Sequence, residues 1–390
     1  MNKLDLRDLS LKGQRVLMRV DFNVPLEKGK ISDDSRIRAA VPAIEYILNH
    51  GASLILMSHL GRPKGSEPEF SLKPCGERLS ELLKKPVQMA TDCIGPVVES
   101  MASKLQPGQI LLLENLRFHS GEEAPGQDPS FAASLAKLGT CYVNDAFGTA
   151  HRAHASTAAI TRFFPGKSAM GFLMEKEIVA LSPLLSNPSR PFYAIMGGAK
   201  ISSKIGVIKT LLKKVDGLFI GGGMFFTFLK ADGIEVGKSI CEDPIAVRDL
   251  PKEKLHLPID IVIADRFSND ADKQIIMARN GIPEGWQGMD IGPKTISEWS
   301  KLLPKAATLF WNGPLGVFEM ENFAKGTRAI AELLAKSKAK TIVGGGDSIA
   351  AIEQMGLAKE FTHLSTGGGA SLEFIEFGHL PGIDALSERG

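Results

Sequence analysis

The sequence predicts an α/β protein of two Rossmann-like lobes, each a mostly parallel sheet covered by helices, joined by an interdomain helix. Three observations carry this reading. Short apolar runs recur along the whole chain, each followed by polar or glycine punctuation and separated by helix-like segments, which is the grammar of βαβ units. At 390 residues the chain exceeds what one hydrophobic core organises. Three glycine triplets, at 221–223, 344–346 and 367–369, each close an apolar or β-rich run, and all lie in the second half.

The first-half strands are read at 15–22, 53–59, 110–116 and 141–147. The second half repeats the pattern at 192–196, 217–220, 259–264, 308–311, 341–343 and 361–365. These runs are continuous rather than alternating, as expected of strands buried on both faces of a parallel sheet. Between the halves, 171–185 (GFLMEKEIVALSPLL) reads as one amphipathic helix, with Pro183 and Pro188 marking its exit. A crossover helix within one large sheet is the competing reading. The expected division is 1–170, a joining helix at 171–185, and 186–375. No low-complexity tract or short repeat is present, which excludes a solenoid.

Composition narrows the function classes. A net charge of +2, with Lys and Arg spread through the chain, argues against a nucleic-acid binder but not against a local anion site. No stretch stays apolar for a membrane span and residues 1–10 contain no signal-peptide core, so a soluble cytoplasmic protein is expected. Cys75, Cys93, Cys141 and Cys241 are far apart, without zinc-finger spacing, and are read as reduced thiols.

In open α/β sheets, ligands sit outside the carboxyl ends of the strands. In the first half those ends carry Asp21 and Asn23 (RVDFNVP), His59 and Arg62 (HLGRPKG), Arg117 (LLLENLRFH), and His151 with Arg152 (HRAHAS). Guanidinium forks match phosphate and carboxylate oxygens, so Arg36, Arg62, Arg117 and Arg152 form a candidate anion site if their strands are neighbours. Any one of them alone reads as a solvated surface charge. Asp21 and Asn23 suit hydroxyl groups of the same ligand, which points to a hydroxylated, phosphorylated acid.

The second half offers backbone instead. Glycine lets amide groups approach phosphate closely, and 367–373 (GGGASLE) opens a helix whose dipole favours an anion. None of the triplets completes GxGxxG, and GIEVGKS at 233–239 is one residue short of a Walker A loop, so both of those phosphate schemes are set aside. Lys200, in MGGAKISSK, follows a strand and two glycines, with Lys204 placed one helical turn on. Asp347, after a triplet, offers either a Mg²⁺ carboxylate or a helix N-cap. On these features alone, another kinase for a small phosphorylated acid and a two-lobed anion-binding protein remain open.

In order and spacing, the strings RVDFNVPL, HLGRPKG, LLLENLRFH, VNDAFGTAHRAHAS, GGAKISSK, LFIGGGMFFTFL, WNGPLGVFE, GGGDS and STGGGASLE resemble phosphoglycerate kinase over essentially the whole chain. The resemblance implies a monomeric two-lobed enzyme. Such an enzyme transfers phosphoryl reversibly from 1,3-bisphosphoglycerate to MgADP, giving 3-phosphoglycerate and MgATP, in line and after lobe closure. By matching motif, Asp21, Asn23, Arg36, His59, Leu60, Gly61, Arg62, Arg117 and Arg152 are implied as the phosphoglycerate site. Lys204, Gly222, Gly223, Gly288, Asn312, Glu319, Gly345, Gly346, Asp347 and Ser348 are implied nucleotide contacts, with Glu319 on the ribose and Asp347 on Mg²⁺. Lys200, Arg36 and the amides of Gly367, Gly368 and Gly369 are assigned to the moving phosphoryl group. The segment 376–390 is expected to return to the first lobe. Ser203 departs from the pattern, since some members carry an acid there, and no segment resembles a chloroplast transit peptide.

Overall fold

The computed structural model describes residues 2–390, and the chain forms two compact units. One unit runs up to Val179 and takes in His379–Gly390; the other is Ala180–Gly378.

The first unit contains β1 Arg15–Arg19, the short antiparallel pair β2 Leu26–Glu27 and β3 Lys30–Ile31, β4 Ser53–Met57, β5 Val87–Met89, β6 Ile110–Leu112, β7 Cys141–Asn144 and β8 Ser168–Met170. Apart from the β2–β3 pair, these strands form one parallel sheet in the order β5-β6-β4-β1-β7-β8. Helices α1 Ser35–Asn49, α2 Lys73–Leu83, α3 Pro96–Ser103 and α4 Pro129–Ala136 connect the strands, and α5 Phe172–Ser186 follows β8. Every residue of β4 is buried. Val16, Met18, Leu54, Leu56 and Val143 meet Ile37, Ile44 and Ile47 of α1 in one core. Each such side chain contributes roughly 1.5–3 kcal/mol on burial.

The first-half runs are longer than the strands they contain. Val20, Phe22, Leu60, Leu113, Leu116 and Phe147 stay buried after the ladder has ended, so hydrophobicity continues into the loops that turn over the strand ends. Strands β5 and β8, absent from the expected set, are three-residue strands at the two edges of the sheet.

The second unit contains β9 Phe192–Met196, β10 Gly217–Ile220, β11 Leu255–His256, β12 Asp260–Ala264, β13 Lys273–Met277, β14 Gln287–Ile291, β15 Thr308–Asn312, β16 Lys340–Gly344 and β17 His363–Leu364. Its main sheet is parallel, in the order β11-β10-β9-β15-β16-β17. The helices are α6 Ile205–Leu212, α7 Phe225–Ala231, α8 Ile245–Arg248, α9 Pro293–Leu302, α10 Lys325–Ala335, α11 Gly346–Gln354 and α12 Gly369–Phe377. The run at 259–264 departs from the expected parallel pattern. As β12 it is the centre of a separate three-stranded antiparallel sheet, β13-β12-β14. An apolar run reports burial, not the direction of its partner strand.

Helix α5 crosses the point where the chain divides. Pro183 lies inside it rather than marking its exit. Proline has no N–H to donate four residues back, so the carbonyl of Val179, an exposed residue, loses its helical partner. The start of α5 is held by Asp145, whose Oδ1 accepts from the amides of Leu173 (2.7 Å) and Met174 (3.2 Å), while Oδ2 is buried without a partner.

Burial pushes the Asp145 carboxyl up to about 7, against those two amide bonds. A carboxyl whose folded value lies above its unfolded value takes up protons on folding. Stability therefore falls as pH rises from about 4 to about 7 and levels off above that. An asparagine side chain at this position keeps the accepting oxygen without the charge, so Asp145→Asn is expected to gain about 1–3 kcal/mol on the wild type between pH 5 and pH 7.5. Urea unfolding at both pH values measures the difference. Identical pH responses of the two proteins would remove Asp145 from this role.

Candidate active site

In the first unit, the loops leaving β1, β4 and β6 are wired together by candidate residues. Asp21 Oδ2 accepts from Arg36 Nη1 (2.9 Å) and Asp21 Oδ1 from the amide of Asn23 (3.2 Å). Asn23 Oδ1 accepts from the amide of Gly61 (2.8 Å), and the Gly61 carbonyl accepts from Arg117 Nη1 (2.7 Å). Leu60 is buried, with its amide and carbonyl bonded to the Asn115 side chain at 3.3 and 2.7 Å. Asn23, Leu60 and Gly61 also line a cavity of about 330 Å³.

The charges converge as well. Burial, then the charges of Arg19, Arg117 and Arg36, hold His59 well below the usual histidine range. Burial, then Arg19, Arg117 and Arg152, push His154 down to about 4. Arg117 is itself lowered by burial and by the charges of Arg19 and Arg62, although Glu123 pairs with its Nη2 at 2.9 Å. Arg62 and Arg152 are exposed. The buried Nε of Arg117 has no hydrogen-bond partner. Leaving a buried donor unpaired costs about 1–3 kcal/mol, which an anion's oxygen would relieve.

The second unit gathers its candidates around two adjacent cavities. The larger, about 620 Å³, is lined by Gly222, Gly223, Gly288, Glu319 and Asp347, with Phe226, Ile240 and Phe267 supplying apolar wall. The smaller, about 160 Å³, is lined by Lys200, Lys204, Asn312, Gly345, Gly346, Asp347 and Ser348. Gly198, Ala199, Pro314 and Asp347 border both. The glycines at 367–369 line neither cavity; they lead from β17 into α12, with Gly368 at its N-cap. Lys238 of the Walker-like segment lines the larger cavity, with its backbone held by Trp286.

Two local expectations are corrected here. Residues 202–204 form a turn, closed by the Lys204 amide on the Ile201 carbonyl (2.8 Å), and α6 begins only after Lys204, so Lys200 and Lys204 are not stacked on one helix. Lys204 Nζ is mostly buried, donates to the Gly197 carbonyl (2.8 Å), and is pushed down to about 8 by burial, opposed by Asp347. Gly345, not Asp347, occupies the N-cap of α11, and Asp347 lies exposed in the first turn. The Nδ2 of Asn312, at the end of β15, is buried with no partner and faces the same turn as Gly345.

A family model described as phosphoglycerate kinase matches residues 6–377. The chain belongs to the phosphoglycerate kinase family. A phosphoglycerate kinase of Moorella thermoacetica is 54% identical over 398 residues, covering all of both chains. The chloroplastic phosphoglycerate kinase 1 of Arabidopsis thaliana is 54% identical over 396 residues, covering 98% of this chain and 82% of that one. Among solved structures, the phosphoglycerate kinase of Coxiella burnetii superposes with a TM-score of 0.85 at 40% identity, over 98% of each chain. The family's reaction is phosphoryl transfer between 1,3-bisphosphoglycerate and ADP in glycolysis, so the chain is a phosphotransferase. Among the described residues no helix is long and apolar enough to cross a membrane.

Several residues in and around these phosphoglycerate kinase motifs received no role in the motif reading. Arg19, Glu122 and Ser156 are fully buried beneath the first-unit loops. The one signal was an arginine, Arg19, closing the short run RVLMR directly after three apolar residues. Asp290 borders the larger cavity, accepts from the amides of Gly326 (2.7 Å) and Ile291 (2.9 Å), and is pushed up to about 7 by burial. Nothing local in the sequence marks it.

Proposed function

We propose that this chain binds the phosphorylated acid on its first unit and the nucleotide on its second, and transfers phosphoryl directly from 1,3-bisphosphoglycerate to ADP and back. One observation carries the reading: the two units present chemically different strand-end sites, a converging arginine and histidine field in one and a glycine-lined cavity pair with two lysines in the other. Arg36, Arg62, Arg117 and Arg152 hold the phosphate and carboxylate oxygens, while Asp21 and Asn23 receive the hydroxyl. The apolar wall of the larger cavity takes the base, Glu319 at its rim takes the ribose, and the backbone at 345–348 takes the phosphates.

Asp347 is the carboxylate placed to hold Mg²⁺. The ion suits one protein carboxylate with nucleotide phosphates and water completing its shell, and when bound it neutralises phosphate charge. The chain's own residues do the positioning. Asn312 Nδ2 offers its unpaired proton to a phosphate oxygen. Lys200, Arg36 and the amides at 367–369 stabilise charge on the moving group, which needs no covalent enzyme intermediate. Closure of the two lobes before transfer would exclude water from the acyl phosphate.

A coupled assay with 3-phosphoglycerate, MgATP and a downstream reductase tests the whole reading; folded protein without turnover would sink it. Arg62→Ala separates out the first site. The exposed guanidinium has no structural bond to lose, and one charge-assisted contact is worth roughly 1.5–3 kcal/mol. The variant is therefore expected to weaken 3-phosphoglycerate binding about 10- to 100-fold at unchanged ADP affinity. Wild-type affinity by calorimetry would refute that placement.

A further inference from the structure

Below the arginine field, Arg19 ends the central strand β1 with only 1% of its surface exposed. Its Nε donates to Ser156 Oγ (2.8 Å), its Nη1 to the Val20 carbonyl, and its Nη2 faces His59 Nδ1 at 3.1 Å. Glu122, fully buried, accepts from Ser156 Oγ (2.6 Å) and the Ser156 amide (3.0 Å). Its Oε1 lies 3.9 Å from Arg19 Nη2 and 3.9 Å from His154 Nδ1. The guanidinium is thus held on several sides, with Glu122 the acid beside it; burial pushes that carboxyl up, opposed by the Arg19 charge and the Ser156 bonds.

A guanidinium carries donors and no acceptor. The ring nitrogen that faces it must supply a lone pair, so the proton of His59 sits on Nε2. A second proton, on Nδ1, would set N–H against N–H and add positive charge beside Arg19, with Arg117, Arg36 and His154 also acting on the ring. Turning the ring over would put a C–H against Arg19 and leave a buried donor unpaired, which is the costlier arrangement. Geometry and electrostatics therefore select one state of the imidazole.

We propose that Arg19, braced by Glu122 and Ser156, is a positioning residue that locks His59 as the neutral Nε2–H tautomer, so that His59 offers the phosphorylated acid a hydrogen-bond donor that does not vary with pH. This deepens the substrate-site reading and rests on it. An unlocked histidine titrates close to 6.5 and exchanges its proton between two nitrogens, so its value as a donor changes across the physiological range. Locked, the ring adds direction to a site that already holds ample positive charge.

Nitrogen-15 NMR of the ligand-free, isotope-labelled full chain from pH 6 to 8 tests the lock without any mutation. His59 is expected to show a pyridine-type Nδ1 and a pyrrole-type Nε2 with no titration in that range. A pyrrole-type Nδ1, or a midpoint within the range, overturns the proposal. Adding 3-phosphoglycerate is expected to move the Nε2 signal and leave Nδ1 pyridine-type. An unmoved Nε2 while the arginine signals of the site shift refutes the donor role alone; no shift at either refutes the substrate-site reading, and the tautomer result stands separately. The double variant Arg19→Met, Glu122→Gln removes the brace without stranding a charge. In it His59 should titrate, and KM for 3-phosphoglycerate should change about tenfold between pH 5.5 and 8, beyond any change in the wild type and with kcat following less. An unchanged tautomer and a wild-type KM profile in the folded variant would count against the lock.

Discussion

Lys200→Ala is expected to lower kcat about 10³-fold or more while ADP affinity changes little, as for charge-stabilising groups in phosphoryl transfer. The two lysines of the GGAKISSK segment are held in opposite ways. Lys204 is partly buried and donates one of its ammonium protons to the Gly197 carbonyl, so it braces the turn after β9. Lys200 is exposed at the edge of the smaller cavity, and the surrounding turn is fixed without it. Ser202 bonds Glu242 through its amide (2.7 Å) and hydroxyl (2.6 Å), and Ser203 Oγ donates to the Lys200 carbonyl (3.1 Å). The backbone is anchored and the ammonium is left mobile. Ser203 orients only the Lys200 backbone, and Glu242, held below the usual carboxylate range chiefly by its bonds from Ser202, is anchored to the turn itself. Rapid-quench kinetics with ADP calorimetry separates the effects. An unchanged kcat removes Lys200 from the chemistry, and an equal loss of ADP affinity makes it a ground-state binding group.

Gly222→Ala is expected to cost about 2–4 kcal/mol of stability and to weaken ADP at least tenfold, by closing the cavity it lines. Gly222 has φ +66°, a left-handed conformation unfavourable for a residue with a Cβ. The added methyl would lie 2.5 Å from the amide nitrogen of Gly198 and 2.8 Å from the carbonyl oxygens of Gly198 and Pro314. These are backbone atoms of two neighbouring strand-end loops, so no side chain can swing aside. Gly346→Ala is the contrast: a Cβ there meets nothing within 4 Å, and the position opens α11, so its stability should stay within about 0.5 kcal/mol. Thermal unfolding of both variants decides the matter. Equal losses would show that crowding at Gly222 is not what constrains it.

Legibility followed locality. The parallel strands were readable because burial on both faces produces continuous apolar runs. The strand ends were readable because glycine and arginine break such runs abruptly. Asn312, Glu319 and Gly288 could be named only through whole motifs, since no local pattern marks a single asparagine or glutamate as facing a cavity. Glu122 and Asp290 were not legible at all, and Arg19 showed only as a charge closing an apolar strand. Their partners stand far off in the chain, with Ser156 137 residues from Arg19 and 34 from Glu122, and Gly326 36 from Asp290.

By itself the sequence determined the α/β class, the kinase family it resembles, and the residue types delivered to each strand end, because periodicity and motif spacing are local properties of a chain. Tertiary structure alone decided that β12 pairs antiparallel, that Lys204 is tied to the Gly197 carbonyl while Lys200 is exposed, and that His59 faces a guanidinium. Strand direction, burial and the partner of a lone pair are set by groups brought together across long chain separations, and no local pattern encodes them.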